Sequence, residues 1–254
     1  MPALLIDADE YLFKACASVE TDIRWDDYNH VLQANENEAW KSFVKSIERV
    51  AEKFDTDPVK GVILCFSGTY DTPNFRLAID PSYKSSRKDK RKPLCYADLR
   101  ESCDDLYTTQ TFPGLEADDV MGIMATRPRK QSSPEFIIVS QDKDMKTLPA
   151  TVWNGKDLVT YSADQADYWH MFQTLTGDAV DGYKGCPKVG PVKADKILAA
   201  AFCDKRWQMV ALAYEQAGLT ADDALRNARL ARILRWDDWD RKKKEPILWS
   251  PSHS

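Results

Sequence analysis

Asp142 and Asp144 flank Lys143 directly after Phe136-Ile137-Ile138-Val139, a short apolar run rich in β-branched residues. Such a run reads as a strand buried on both faces. In open α/β sheets, ligands sit just beyond the carboxyl ends of the strands. Two carboxylates held there repel each other unless a cation lies between them. The hard ions Mg²⁺ and Mn²⁺ suit an all-oxygen donor set. The plain structural alternative is that Asp142 caps the next helix and Asp144 sits in its first turn.

Acidic groups recur at three other places. Ala3-Leu4-Leu5-Ile6 reads as a first buried strand ending at Asp7, with Asp9 two residues on. Glu116, Asp118 and Asp119 open a helix, and three carboxylates in four positions exceed what a helix start needs. Glu116 and Asp119 share one face at this spacing, whereas Asp118 and Asp119 point apart. Asp178 and Asp181 open a glycine-punctuated turn. Two unit charges 4 Å apart cost roughly 4 kcal/mol at an effective dielectric of 20. If the four groups converge, they stay ionised only with divalent cations. Two ions about 4 Å apart would stabilise the attacking hydroxide and the leaving oxygen of a phosphodiester in-line displacement. That chemistry needs no Ser or His nucleophile, and the chain has no evident triad.

The elements that must position these groups alternate. Val62 to Phe66 is a second buried strand, and Trp25 to Phe54 reads as one or two amphipathic helices. Leu94 to Leu106 reads as a helix and Tyr107 to Phe112 as a strand. Thr151 to Trp153 and Leu158 to Thr160 form a hairpin around Asn154-Gly155. The expected fold class is α/β, a mostly parallel central sheet flanked by helices. Between Tyr83 and Lys92 six of ten residues are basic. Such a run is either a solvated face or an arch that neutralises a phosphate backbone.

From Ser162 the pattern turns helical. Ser162 and Gln165 make a capping box for a helix to about Leu175. A turn through Gly185, Pro187, Val189, Gly190 and Lys193 leads into a helix from Val192 to Ala201. Further helix runs from Trp207 to Trp239, with a start signal at Leu219 to Asp223. The expected division is an α/β domain over 1–161 and a helical region over 162–254. The turn either merely packs or offers backbone amides and carbonyls to a nucleic-acid phosphate, with a monovalent cation between. Arg241 to Lys244 is a basic tail.

Composition narrows the class. The chain has 254 residues, 43% hydrophobic and 30% charged, with net charge −5. These values describe an ordinary soluble globular protein and argue mildly against one that coats nucleic acid non-specifically. No apolar run approaches the ~20 residues of a membrane span. The start lacks a basic n-region, and Asp7 interrupts its apolar run, which argues against a signal peptide. The six cysteines are scattered and the three histidines do not cluster, which points to reduced thiols in a cytoplasmic protein without a His/Cys zinc site.

The motifs resemble the structure-specific 5′ nucleases: flap endonucleases, the 5′ nuclease domain of bacterial DNA polymerase I and phage 5′→3′ exonucleases. Five stretches carry the resemblance: Leu5-Ile6-Asp7-Ala8, Tyr83-Lys84-Ser85-Ser86-Arg87, Gly114 to Val120, Ser140 to Leu148, and Gly177-Asp178-Ala179-Val180-Asp181-Gly182 with the turn at 185–194. Ala166 to Thr174 and Ala228 to Arg235 look like the exonucleases of T-odd podophages. The resemblance implies a PIN/5′ nuclease-like fold with a helical arch at about 83–95 and a helix–three-turn–helix region. It implies two Mg²⁺ or Mn²⁺ ions. Asp7, Glu116, Asp118 and Asp119 would serve the first; Asp142, Asp144, Asp178 and Asp181 would serve the second or the space between. Lys84 and Arg87 would steer the scissile phosphate, and Arg76, in Asn74-Phe75-Arg76, would contact phosphate too. Gly185, Val189, Gly190 and Lys193 would grip the duplex backbone with K⁺.

The expected activity is 5′→3′ exonucleolytic hydrolysis of double-stranded DNA in phage replication, recombination or host DNA breakdown, by a monomer. Cutting of 5′ flaps and of RNA in RNA–DNA hybrids falls within the same expectation. The rivals are a PIN-type nuclease acting on single-stranded RNA and a DNA-binding relative with impaired catalysis. The chain departs from the family pattern in one place. Many relatives carry an Asp directly after the second strand, where Phe66-Ser67-Gly68 stands here, and Asp71 is the nearest substitute.

Overall fold

The computed structural model describes all residues except 70, 88, 89, 131–134, 201, 202 and 252–254. Strand β1 (Ala3–Asp7) runs straight into helix α1 (Ala8–Ser18), because the Asp7 carboxylate accepts from the Glu10 amide at 3.2 Å and caps it. A hairpin of β2 (Glu20–Arg24) and β3 (His30–Ala34) follows, and then α2 (Glu36–Lys53). The helix expected from Trp25 therefore begins eleven residues later. Asp26 explains the difference: its Oδ1 accepts from the Tyr28 and Asn29 amides, both at 2.8 Å, which closes a tight turn. Asn35 then caps α2, which buries Phe43, Ile47 and Val50 along one stripe.

The chain continues through β4 (Val62–Cys65), α3 (Arg76–Ile79), α4 (Tyr96–Leu106) and β5 (Thr108–Gln110). It goes on with α5 (Ala117–Ala125), β6 (Phe136–Val139), a 3-10 turn at Lys143–Thr147, β7 (Thr151–Trp153) and β8 (Leu158–Thr160). The six strands form one sheet in the order β5-β4-β1-β6-β7-β8, parallel except for the β7–β8 hairpin. The expected mostly parallel sheet flanked by helices is thus present. From β1 the chain builds outward to β4 and β5, then returns to the other side of β1 with β6. That reversal opens a crevice beyond the carboxyl ends of β1 and β6, where Asp7 and Asp142 sit.

Strand alternation divides the core between two faces. Leu4 and Ile6 pack with Leu12, Phe43, Ile47 and Leu99 on one side. Leu5 and Ile138 pack with Val120, Met121, Ile123 and Leu234 on the other.

The helices α6 (Ala163–Thr176), α7 (Pro191–Ala199), α8 (Arg206–Gln216) and α9 (Ala221–Ala231) share a third cluster around Leu175, Leu198, Val210 and Tyr214. The short pair β9 (Gly177–Asp178) and β10 (Tyr183–Lys184) lies between α6 and α7. Capping boxes at Ser162/Gln165 and Thr220/Asp223 start α6 and α9. The helix expected to reach Trp239 stops at Ala231, and a small hairpin of β11 (Trp239–Asp240) and β12 (Glu245–Pro246) follows. Arg232 turns away from the helix there, its Nε donating to Asp238 at 2.8 Å. Among the described residues of 83–95 there is one 3-10 turn, Ser85–Arg87, and no α-helix; Lys88 and Asp89 of the expected arch lie outside the described residues. The segment has no apolar stripe to bury, and its Tyr83 turns inward instead. No helix among the described residues is long and apolar enough to cross a membrane.

Candidate active site

Six of the eight carboxylates expected to act together line one cleft: Asp7, Glu116, Asp118, Asp142, Asp144 and Asp181. Lys84 and Arg87 line it too. The sheet supplies Asp7 and, through the loop after β6, Asp142 and Asp144. Ser140 ties these two together, donating from Oγ to Asp7 Oδ2 at 3.3 Å and receiving the Asp142 amide at 3.1 Å. Asp142 also caps the following turn, its Oδ1 accepting from the Asp144 amide at 2.8 Å.

The charges are crowded. Burial, then the neighbouring Asp9, pushes the Asp7 carboxyl up to about 7. Burial, then Asp7 and Asp142, pushes Asp118 well above the usual carboxylate range. Burial and Asp142 push Asp144 up to about 6. Each of the three lies in the cleft beside a further carboxylate, with too little positive charge to offset the crowding.

The other half of the cleft is neutralised by the chain itself. Lys84 Nζ lies 2.5 Å from Glu116 Oε1 and 3.5 Å from Asp181 Oδ1, and Arg87 lies 3.2 Å from the same Asp181 oxygen. The Tyr83 hydroxyl lies 2.9 Å from Glu116 and 3.1 Å from Asp181, so its one proton is shared between the two carboxylates. Burial would raise Glu116, but Lys84 and Arg76 outweigh it and hold its carboxyl below the ordinary value. Among the described residues, no three carboxylates close on a point ready to hold an ion as they stand. Lys84 occupies the space between two of them.

Three expectations need correction. Asp119 does not enter the cleft: it is fully buried, gripped by Arg76 through two hydrogen bonds of 2.7 and 2.8 Å, and accepts the Leu234 amide at 3.0 Å. Arg76 lines the cleft, but its guanidinium is taken up by Asp119. It is 3% exposed and donates also to the carbonyls of Leu230 and Arg232, so the pair fastens α3 and α5 to the end of α9. Helix geometry is the reason: in the first turn of α5, Asp118 faces the cleft and Asp119 the interior. Asp71 is exposed and lies outside the cleft; Asp9 lines it instead, receiving the Ser67 amide at 2.9 Å and the Tyr96 hydroxyl.

Asp178 stands outside this lining, 6% exposed, with Lys143 Nζ at 3.0 Å and the amides of Val180 and Asp181 on its other oxygen. Burial acts against its charge, but Lys143 and these amides hold its carboxyl below the usual range. Gly185, Val189 and Gly190 lie in the turn between β10 and α7 and Lys193 in the first turn of α7, away from the cleft; only Gly190 and Lys193 are exposed among the four. Gly185 packs against α6, where an added Cβ would meet Leu175 O at 2.3 Å, while Gly190 has nothing within 4 Å. Val189 points into the helical core.

Sequence reasoning noted Asp9 without giving it a role and missed Glu10, Gln173 and Tyr183; all four line the cleft. Asp9 and Glu10 had a signal, since both follow the end of β1 in the first turn of α1. Gln173 and Tyr183 had none, because each reaches the cleft only through the packing of the helical region.

An open, mostly parallel sheet thus sets carboxylates at its switch point with basic side chains beside them. The chain belongs to the 5′-3′ exonuclease family: the model of its N-terminal resolvase-like domain matches residues 2–170. It is 28% identical to the exodeoxyribonuclease of Enterobacteria phage T3, covering 98% of this chain and 92% of the relative. It is 29% identical to the exonuclease of Escherichia phage T7, covering 98% and 93%. Its fold is similar to that of the bacteriophage T5 5′-exonuclease bound to zinc, with TM-score 0.66, 16% identity and coverage of 91% and 89%.

Proposed function

We propose that this chain is a divalent-metal-dependent 5′→3′ exonuclease that hydrolyses phosphodiester bonds of double-stranded DNA from 5′ ends. The observation that carries the reading is the pooling of Asp7, Asp118, Asp142 and Asp144 in one cleft, with Lys84 and Arg87 on its rim. The raised carboxyls of Asp7, Asp118 and Asp144 mark an uncompensated negative charge that hard cations would relieve. The donors are all oxygen, which fits Mg²⁺ or Mn²⁺. Names of similar proteins support the same reading: exodeoxyribonuclease and exonuclease for the phage relatives, and a T5 flap endonuclease with DNA and metal ions among the similar folds.

In this reading Asp7, Asp118 and Glu116 would hold one ion, and Asp142, Asp144 and Asp181 would hold the other. Bound ions supply Lewis-acid polarisation of the phosphodiester and an ionised water at neutral pH. Lys84 and Arg87 orient the scissile phosphate and balance its charge. Asp178 acts at a distance, fixing Lys143 and the backbone ahead of Asp181. Residues 1–161 carry most of the chemistry, and Asp181 joins them from the helical region. Residues 162–254 hold the duplex through the backbone around Gly185 and Gly190 and through Lys193, with K⁺ at the turn. Flap cutting and removal of RNA from hybrids use the same cleft.

The test is a duplex labelled at one 5′ end and, separately, at one 3′ end, incubated with Mg²⁺ or with EDTA. Early release of short labelled products from the 5′ end, only with Mg²⁺, is the expected result. Release from the 3′ end first, or cleavage that survives EDTA, would overturn the reading. Preference for free single-stranded RNA would replace it with a PIN-type ribonuclease.

A further inference from the structure

Two buried polar atoms that line the acidic cleft have no hydrogen-bond partner among the described residues: Gln173 Oε1 and the Tyr183 hydroxyl. Both side chains are more than nine-tenths buried, at 8% and 4% exposure. Burying such a group unpaired is costly, and native chains seldom do it without a reason. Neither residue belongs to the α/β layer that carries most of the carboxylates. Gln173 lies near the end of α6 and Tyr183 in β10, so the helical region delivers both into the cleft.

Gln173 is engaged at one end. Its Nε2 donates to Asp144 Oδ2 at 2.8 Å, which leaves its carbonyl oxygen free. An amide that donates to a carboxylate fixes the rotamer of that carboxylate. Tyr183 lines the cleft together with Asp142, Asp144 and Asp181, and its hydroxyl has no partner there among the described residues. A neutral hydroxyl and an amide oxygen beside three carboxylates can hold the solvent that a hydrated cation brings with it.

We infer that Gln173 and Tyr183 complete the cation site at Asp144, Gln173 as the positioning residue that aims the carboxylate and Tyr183 as a hydroxyl that holds solvent beside it. The inference rests on the metal-dependent reading above. It adds that α6 and β10, and not only the turn carrying Asp181, take part in ion binding. Residues that orient a ligand through a hydrogen bond typically contribute 10–100-fold to metal affinity.

The experiment is titration of the purified chain with Ca²⁺ and with Mn²⁺ by calorimetry, without DNA, alongside thermal unfolding in EDTA. The variants are Gln173→Met and Tyr183→Phe, which keep volume and lose the polar atoms. Both should weaken ion binding by about 10-fold or more. Tyr183→Phe should at the same time leave the ion-free Tm unchanged or raise it, because it removes a buried hydroxyl without a protein partner. A merely structural role would give the opposite pair, a lowered Tm with unchanged ion affinity, and would overturn the inference. Equal ion affinity in the wild type and both variants would overturn it too. If the wild type itself binds neither ion, the metal-dependent reading fails first, and that outcome is distinct.

Discussion

Lys84 places its ammonium 2.5 Å from Glu116 and reaches it from a backbone in the left-handed region, φ 51°. That conformation is uncommon outside glycine. It is held by the Lys84 amide, which donates to the Asp181 carbonyl at 2.8 Å. The chain thus spends local strain on putting one cation between two carboxylates.

Lys84→Met should slow cleavage about 10²-fold at saturating Mg²⁺, the usual loss when one charge-stabilising donor is removed. The fold should persist, since Arg76 and Tyr83 still contact Glu116. Single-turnover rates and a Tm report the two effects separately. An unchanged rate would remove Lys84 from the chemistry.

Arg76 and Asp119 behave differently, because both are buried and satisfied mainly by each other and by backbone, with Glu116 a longer contact 3.5 Å from Arg76. Removing one partner leaves an uncompensated charge. Arg76→Met or Asp119→Asn should each cost about 3–5 kcal/mol in denaturant unfolding. The double variant Arg76→Met/Asp119→Leu should lose less than the sum of the two. Additive losses would mean that the two residues stabilise the chain independently.

That pair also marks the limit of what the sequence discloses. The sheet was legible because β1, β4 and β6 are short apolar runs with an acid or a turn at their ends. The cleft was legible in outline for the same reason, since strand ends and parallel topology bring Asp7 and Asp142 to one edge. The inward turn of Asp119 was not, because Arg76 lies 43 positions away and nothing local pairs them. The β2–β3 hairpin was missed because its strands are largely exposed, so no buried alternation marks them. Gln173 shows the general case: a polar residue on a helix acquires a role only from what tertiary packing sets opposite it.

Crowding of the carboxylates predicts a pH dependence. Asp7 is raised from 3.8 to about 7 and Asp144 to about 6. Through that window the folded chain binds protons that the unfolded chain has released, so stability falls as pH rises. The contribution is full below about pH 4 and gone above about pH 7. Glu116 and Asp178, held low, act in the opposite sense only near and below their ordinary values of 4.5 and 3.8. In EDTA, unfolding free energy from these groups should drop on the order of 4 kcal/mol between pH 5 and 7.5. Asp7→Asn should flatten the slope, and Mg²⁺ should restore stability at pH 7.5. A flat wild-type profile in EDTA would contradict the crowding.

The two turn glycines separate folding from duplex contact. Gly185 is closed in by backbone, with Leu175 O and Thr176 C both 2.3 Å from where a Cβ would sit. Gly185→Ala must therefore displace α6 and should lower Tm by several degrees. Gly190 meets nothing within 4 Å and has an extended φ of −91°, so Gly190→Ala fits the fold without strain. If a duplex backbone passes over the start of α7, the added methyl stands in its path. Gly190→Ala should then keep the wild-type Tm and its Ca²⁺ affinity while weakening duplex binding about 10-fold or more, the cost of losing one close backbone contact to a charged group. Anisotropy with a labelled duplex in Ca²⁺ measures this. Wild-type affinity in Gly190→Ala would place the duplex elsewhere on the helical region.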